Sequence, residues 1–209
     1  MKKQIDWLYK PANVSAEKYN GELMNLIHAV NPNFESTAGR QFYPVDHDLF
    51  KNTCPDLMSL ITKWGLQDRL SEVAIIWLNK GAKFGIHRDF PSWRARNLAL
   101  NIPIINCDNS YTVWYDVELA KEKDPELQSL DATYGDNNYI KHTQAVKDES
   151  KAVEIARIES NRCWWVNVYQ PHAPVVNHDN FRALLSIRFW PEIFDVLASG
   201  QFDQEFVEQ

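Results

Sequence analysis

The stretch AVEIARIESNRCWWVNVYQPHAPVVNHDNFRALLSIRFW, residues 152–190, holds four short apolar runs separated by polar breaks: Ala152–Glu159, Arg162–Tyr169, Ala173–Val176 and Phe181–Trp190. They are rich in β-branched and aromatic side chains, and Asn177-His178-Asp179-Asn180 between the last two is turn material. Upstream, Val73–Leu78, Lys83–Asp89, Asn97–Ile105 and Tyr111–Val117 repeat the pattern, which makes eight strand candidates. No helical pattern alternates with them, so βαβ units are excluded and a mainly β sandwich or barrel is predicted.

Helices flank this core. After the N-cap candidate Ser15, the residues Tyr19, Leu23, Leu26, Ile27 and Val30 keep helical spacing until Asn31-Pro32. A second helix is signalled by Thr53 as cap, Pro55 in the first turn, and Leu57, Leu60, Ile61 and Trp64 on one face, with Gly65 at its C-terminal cap. Pro191 opens a short closing helix with Ile193, Phe194 and Leu197 on its apolar side. The polar stretch from about Glu118 to Lys151 reads as one long insertion, of the kind that builds specificity at a barrel mouth. The expected organisation is a single domain over 1–209. In it, a partly helical region 1–70 packs on a strand core 72–190, interrupted at about 118–151.

At 209 residues, 44% hydrophobic and 24% charged, the chain has ordinary globular composition, which excludes disordered and fibrous classes. Its net charge of −6, from 22 basic and 28 acidic residues, argues against general nucleic-acid or membrane-surface binding. Cys54, Cys107 and Cys163 form no CxxC pair, so neither a zinc module nor a disulfide framework is expected. The start MKKQIDWLYK lacks a signal peptide's apolar run, and no stretch nears the roughly 18 apolar residues of a spanning helix. A cytoplasmic protein is the expectation.

The chemistry concentrates in Gly85-Ile86-His87-Arg88-Asp89 and in Gln170-Pro171-His172-Ala173-Pro174-Val175-Val176-Asn177. On a strand, residues i and i+2 face the same way, so His87 and Asp89 offer an imidazole and a carboxylate together. A second imidazole completes the two-His-one-carboxylate set that holds Fe(II) with open positions. Two candidates exist, His172 with Arg182 ten residues on and His178 with Arg188 ten residues on. The turn at 177–180 predicts an antiparallel hairpin that puts His172 opposite residue 185 or 186. Arg182 is then displaced by roughly 10–13 Å along the strand, whereas His178 and Arg188 are separated by roughly 30 Å. This favours His172 and Arg182 around one small dicarboxylate.

The order HxD, then a later histidine, then an arginine ten residues on within LSIRF, resembles the 2-oxoglutarate- and Fe(II)-dependent dioxygenases. The strand RNLALNIPI and the ending PHAPVVN…FRALLSIRFWPE are most similar to the aspartyl/asparaginyl β-hydroxylase-like branch. The resemblance covers about Val73 to Glu192 and leaves out the N-terminal third. Members of that branch often lack the carboxylate ligand, whereas this chain keeps Asp89. The resemblance implies a double-stranded β-helix, a jelly-roll or cupin-like barrel. It also implies Fe(II) on His87, Asp89 and His172, and 2-oxoglutarate chelating the metal with Arg182 on its far carboxylate. Dioxygen and an unidentified substrate complete the reaction, which hydroxylates an amino-acid side chain or small molecule and releases succinate and carbon dioxide. The competing readings are a non-catalytic metal- or ligand-binding jelly-roll and a cupin-type metal enzyme, and the latter has no need of Arg182.

Other residues are assigned more plainly. Asn101, on a face with Ala99 and Pro103, either hydrogen-bonds the co-substrate or satisfies backbone at a strand end. Arg94 and Arg96 read as solvated charges or contacts to an anionic substrate, and Arg188 as a salt-bridge residue or a substrate contact. Asp46-His47-Asp48 reads as a polar turn rather than a metal cluster. His28 and His142 have no partner at ligand spacing. Cys163 reads as a small buried residue. Core packing is the default for Trp77, Trp93, Trp114 and Trp164, with Trp114 and Trp93 the candidates for a pocket wall.

Overall fold

The computed structural model describes residues 7–34, 40–79, 85–89, 98–120, 143–177, 181–190, Ile193, Val196 and Phe206. In chain order the described strands are β1 (Tyr9–Pro11), β2 (Arg40–Val45), β3 (Leu70–Leu78), β4 (His87–Asp89), β5 (Leu98–Ile105), β6 (Ser110–Asp116), β7 (Thr143–Ala145), β8 (Val153–Glu159), β9 (Trp164–Asn167), β10 (His172–Val176) and β11 (Arg182–Phe189). Helices α1 (Asn20–Val30), α2 (His47–Thr53) and α3 (Pro55–Lys63) precede β3. The strands form a six-stranded sheet, β1-β9-β5-β11-β3-β2, and a five-stranded sheet, β7-β4-β10-β6-β8. Neighbours within both sheets pair antiparallel, and the fold is the mainly β jelly-roll expected, with flanking helices. None of the described helices is long and apolar enough to cross a membrane.

Strand β11 shows why the two faces differ. All eight of its residues are buried. Ala183, Leu185, Ile187 and Phe189 face the helices and join one core with Leu23, Leu26 and Ile27 of α1 and Leu57 and Ile61 of α3. Arg182, Leu184, Ser186 and Arg188 alternate with them and turn toward the other sheet, where they line a cavity. Trp165 and Phe206 fill the helix side, and truncating such an aromatic costs about 3–5 kcal/mol.

The helices follow their sequence signals with small shifts. The Ser15 hydroxyl accepts from the Lys18 amide at 3.4 Å, heading a single helical turn from which α1 continues at Asn20. α3 opens on Pro55, but its cap position is Cys54 rather than Thr53. Gly65, at φ +68°, ends it: the Gly65 amide donates to Thr62 O at 2.8 Å and the Leu66 amide to Ile61 O at 3.1 Å. This reversal needs the left-handed region, which glycine enters without a Cβ penalty.

Three strands and one helix were not expected from the sequence. β1, β2 and β7 are all at sheet edges, where pairing on one side only leaves a weak apolar signal, and Pro11 and Pro44 are tolerated there. Asp46-His47-Asp48 is the start of α2 rather than a turn. The Asp46 carboxylate caps it, accepting from the Asp48 and Leu49 amides at 2.8 and 3.2 Å. The expected hairpin at 177–180 does not form. β10 pairs with β4 and β6, while β11 pairs with β3 and β5, so the chain crosses between sheets at that point. β11 is buried on both faces, and a central position between two neighbours satisfies its backbone better than a terminal hairpin. Of the closing helix, Ile193 and Val196 are helical, and Phe194 and Leu197 lie outside the described residues. The strand expected over Lys83–Asp89 reduces to His87–Asp89, with 83 and 84 outside the described residues.

The insertion is not wholly loop. Leu119 bridges Val146, the Ala120 amide donates to Ala145 O at 3.0 Å, and the Lys147 amide donates to Glu118 O at 2.8 Å. Its two ends therefore close on each other, and residues 121–142 lie outside the described residues.

Candidate metal and anion site

β4 is three residues long and carries His87 and Asp89 on one face, as the i, i+2 spacing requires. Its neighbour β10 begins at His172, which lies directly opposite His87. That register brings the two imidazole centroids to 4.8 Å, at an interplanar angle of 48°. His87 Nε2 stands 3.7 Å from Asp89 Oδ1. One donor atom from each of His87, Asp89 and His172 lies within 4.8 Å of the others, a grouping able to hold a metal ion.

Both imidazoles are oriented in the same way. His87 Nδ1 contacts the carbonyl of Gly85 at 2.8 Å, and His172 Nδ1 contacts the carbonyl of Gln170 at 2.8 Å. A carbonyl only accepts, so each Nδ1 carries the proton and each Nε2 keeps its lone pair for a cation. Both contacts reach back two residues along the same chain, so the tautomer is set locally.

Asp89 is held from its other oxygen. Arg188 Nη2 lies 2.7 Å from Asp89 Oδ2, and Arg188 Nη1 donates to Glu72 Oε1 at 2.8 Å. Glu72 and Arg188 are direct cross-strand partners on β3 and β11. All three groups are buried, at 8, 4 and 5% exposure for Glu72, Arg188 and Asp89, so the ions screen one another rather than being screened by water. Arg188 is thus the salt-bridge residue of the two alternatives the sequence left.

Across the cavity, on the other sheet, stands Arg182. It is 2% exposed, and its Nε and Nη1 have no hydrogen-bond partner. Burial pulls its pKa below the ordinary guanidinium value, with the Cys107 thiol opposing that shift. No carboxylate pairs with it among the described residues. A buried guanidinium with two nitrogens unbonded and only a thiol beside it is costly, and its planar fork suits a carboxylate bound bidentately.

The cavity between these groups has about 50 Å³ open to the centre of a water-sized sphere. That is several times the roughly 10–15 Å³ one water needs, so it admits a small molecule. Its wall includes His87, His172, Arg182 and Asn101 together with apolar Ile76 and Leu184. Asn101 lies opposite Ser186 on the paired strand, and its Oδ1 has no partner. Trp114, fully buried, also lines the cavity and donates from Nε1 to Asn167 O at 3.0 Å.

Of the five residues singled out from the sequence, His87, His172, Arg182 and Asn101 line one cavity and Asp89 stands behind it beside His87, although the hairpin used to choose Arg182 is absent. Thr112 and Ser186 also line the cavity and were missed; the period-two faces shared with Trp114 and Arg182 were the signal that identifies them. His28 is on exposed α1 surface, its ring 5.1 Å from that of Phe34. Burial raises the Cys163 thiol to about 12, in keeping with an inert core residue. His178, His142, Arg94, Arg96 and Trp93 lie outside the described residues.

Neither a family model nor a curated protein sequence matches the chain. Solved structures do match in fold. One is the non-heme alpha-ketoglutarate-dependent epimerase SnoN from nogalamycin biosynthesis, at TM-score 0.51 and 13% identity over 87% of this chain and 75% of that one. Another is HygX from Streptomyces hygroscopicus with nickel and 2-oxoglutarate bound, at TM-score 0.50 and 12% identity over 88% and 81%. At such identities the likeness is one of fold.

Proposed function

We propose that this chain is an Fe(II)- and 2-oxoglutarate-dependent oxygenase that hydroxylates an amino-acid side chain or another small molecule, releasing succinate and carbon dioxide. The observation that carries this reading is the pairing, across one cavity, of a His-Asp-His donor set with a buried guanidinium that meets no carboxylate among the described residues. The donor set fits a first-row divalent ion, because two imidazoles with their Nδ1 protons occupied and one carboxylate oxygen leave positions open for other ligands. Fe(II), when bound, supplies the dioxygen chemistry, and the protein supplies orientation and a dry cavity.

In this reading His87 Nε2, His172 Nε2 and Asp89 Oδ1 hold the metal. Arg182 takes the far carboxylate of 2-oxoglutarate, and the Asn101 amide adds a hydrogen bond to the co-substrate. Apolar Ile76, Val166 and Leu184 exclude water from the space between. Charge supports the pairing. The formal charges of Glu72 and Asp89 cancel those of Arg188 and Arg182, so a divalent cation leaves an excess that a dicarboxylate neutralises. SnoN is alpha-ketoglutarate dependent and HygX binds 2-oxoglutarate, one compound under two names, which fits this chemistry.

The test is anaerobic titration with Fe(II), with and without 2-oxoglutarate, followed by visible absorbance. A charge-transfer band that needs both is the expected result. No band in folded protein overturns the reading, and a band without succinate in air identifies a binding module instead.

A further inference from the structure

The far end of the insertion reaches the metal-ligand strand, 63 residues away in sequence. Each residue of β4 pairs with β7: His87 with Ala145, Arg88 with Gln144 and Asp89 with Thr143. Four residues after β7, Glu149 Oε1 accepts from the Ile86 amide at 2.9 Å. A Cβ placed on Gly85 would stand 2.8 Å from that same oxygen, so the carboxylate sits against the Gly85 backbone where a side chain would be. The Gly85 carbonyl is the group that fixes the His87 tautomer. Glu149 itself is set by a local turn, in which the Asp148 side chain accepts from the Ser150 amide at 3.0 Å.

We propose that Glu149 is a positioning residue for metal binding: its carboxylate holds the Gly85-Ile86 backbone so that the Gly85 carbonyl aims His87 Nε2 at the ion. This rests on the reading of His87, Asp89 and His172 as a metal site. β4 is short, and on its N-terminal side the chain leaves the sheet at once, so the ring that begins it depends on what holds residues 85 and 86. Glu149 touches no ligand and acts only through that backbone. A methyl group on Gly85 would meet the Glu149 carboxylate, which would have to swing away to admit it.

The test measures Mn(II) affinity by the electron paramagnetic resonance signal of the free ion, on folded full-length variants. Groups that orient metal-bound histidines are worth about 10- to 100-fold in affinity. Glu149→Ala is expected to weaken Mn(II) binding about ten-fold at unchanged Tm and to raise hydrogen exchange at the Ile86 amide. Glu149→Gln keeps the accepting oxygen and is expected to stay within about three-fold of wild type. Gly85→Ala is expected to match Glu149→Ala alone and to add little in its presence, since both displace the same contact. Wild-type protein that takes no Mn(II) overturns the metal site and this role with it. Wild-type binding that is unchanged in Glu149→Ala overturns the role of Glu149 and leaves the metal site standing.

Discussion

Arg188 Nη2 stands 2.7 Å from Asp89 Oδ2, while the other oxygen of that carboxylate is the one nearer His87. One guanidinium, anchored in turn by Glu72 on the adjacent strand, therefore decides which oxygen is left for a cation. Replacing Arg188 by Met strands two buried carboxylates. The expected cost is about 3–5 kcal/mol of unfolding free energy, read from urea denaturation. Glu72→Gln, which keeps a hydrogen-bond acceptor for Arg188, should cost clearly less.

Arg182 leads to the opposite result in the ligand-free protein. Its charge is buried with Nε and Nη1 unbonded, so Arg182→Met is expected to leave stability unchanged or raise it by about 1–3 kcal/mol. The same variant should lose at least about 100-fold in 2-oxoglutarate affinity, the equivalent of about 2.7 kcal/mol. Calorimetric titration checks the second and thermal unfolding the first. A strongly destabilised Arg182→Met would mean that the guanidinium has a structural partner.

Shortening the insertion should separate its two roles. Deleting 121–142 and joining Ala120 to Thr143 keeps the closed ends and β7. It is expected to alter binding of the primary substrate while sparing 2-oxoglutarate turnover without substrate. Deleting on to Lys151 removes β7 and Glu149, and metal binding should go with them. Succinate release and Mn(II) titration distinguish the two outcomes.

The thiols give a pH dependence. Burial raises both Cys54 and Cys163 from 9.0 to about 12, and for Cys54 the nearby Glu22 adds to the shift. Below pH 9 folded and unfolded chains both keep these protons. Above it the unfolded chain loses them while the native one holds them, so stability is lost as pH rises from 9 toward 12. Urea midpoints at pH 8 and pH 10 check the sign. Native protein at pH 8 should also leave all three cysteines unreactive to a thiol reagent until it is unfolded.

What could be read from the sequence follows burial. β3, β5 and β11 are central strands, and their near-continuous apolar runs announce them. The edge strands β1, β2 and β7 are short, and two contain proline, so their identity depends on neighbours the sequence does not display. His87 and Asp89 were legible because two residues on one strand share a face. Gly65 was legible because a helix end needs a left-handed residue. The Glu72–Arg188–Asp89 chain was not, since its members meet only through the register of β3 on β11 and the closure of one sheet over the other. The same limit explains the hairpin: a turn-forming tetrapeptide specifies a reversal of direction, and tertiary burial decides which sheet the returning strand joins.

That crossing between the sheets separates two jobs that are ten residues apart in the chain. His172 belongs to one wall and Arg182 to the other, so a molecule that spans both works as a strut between them. In a partly folded chain with a single sheet assembled, half of the contacts are missing and the strut has nothing to bridge. Under the proposed function, an ion and a dicarboxylate held between the walls stabilise the closed sandwich alone, because they bind only where both walls are in place.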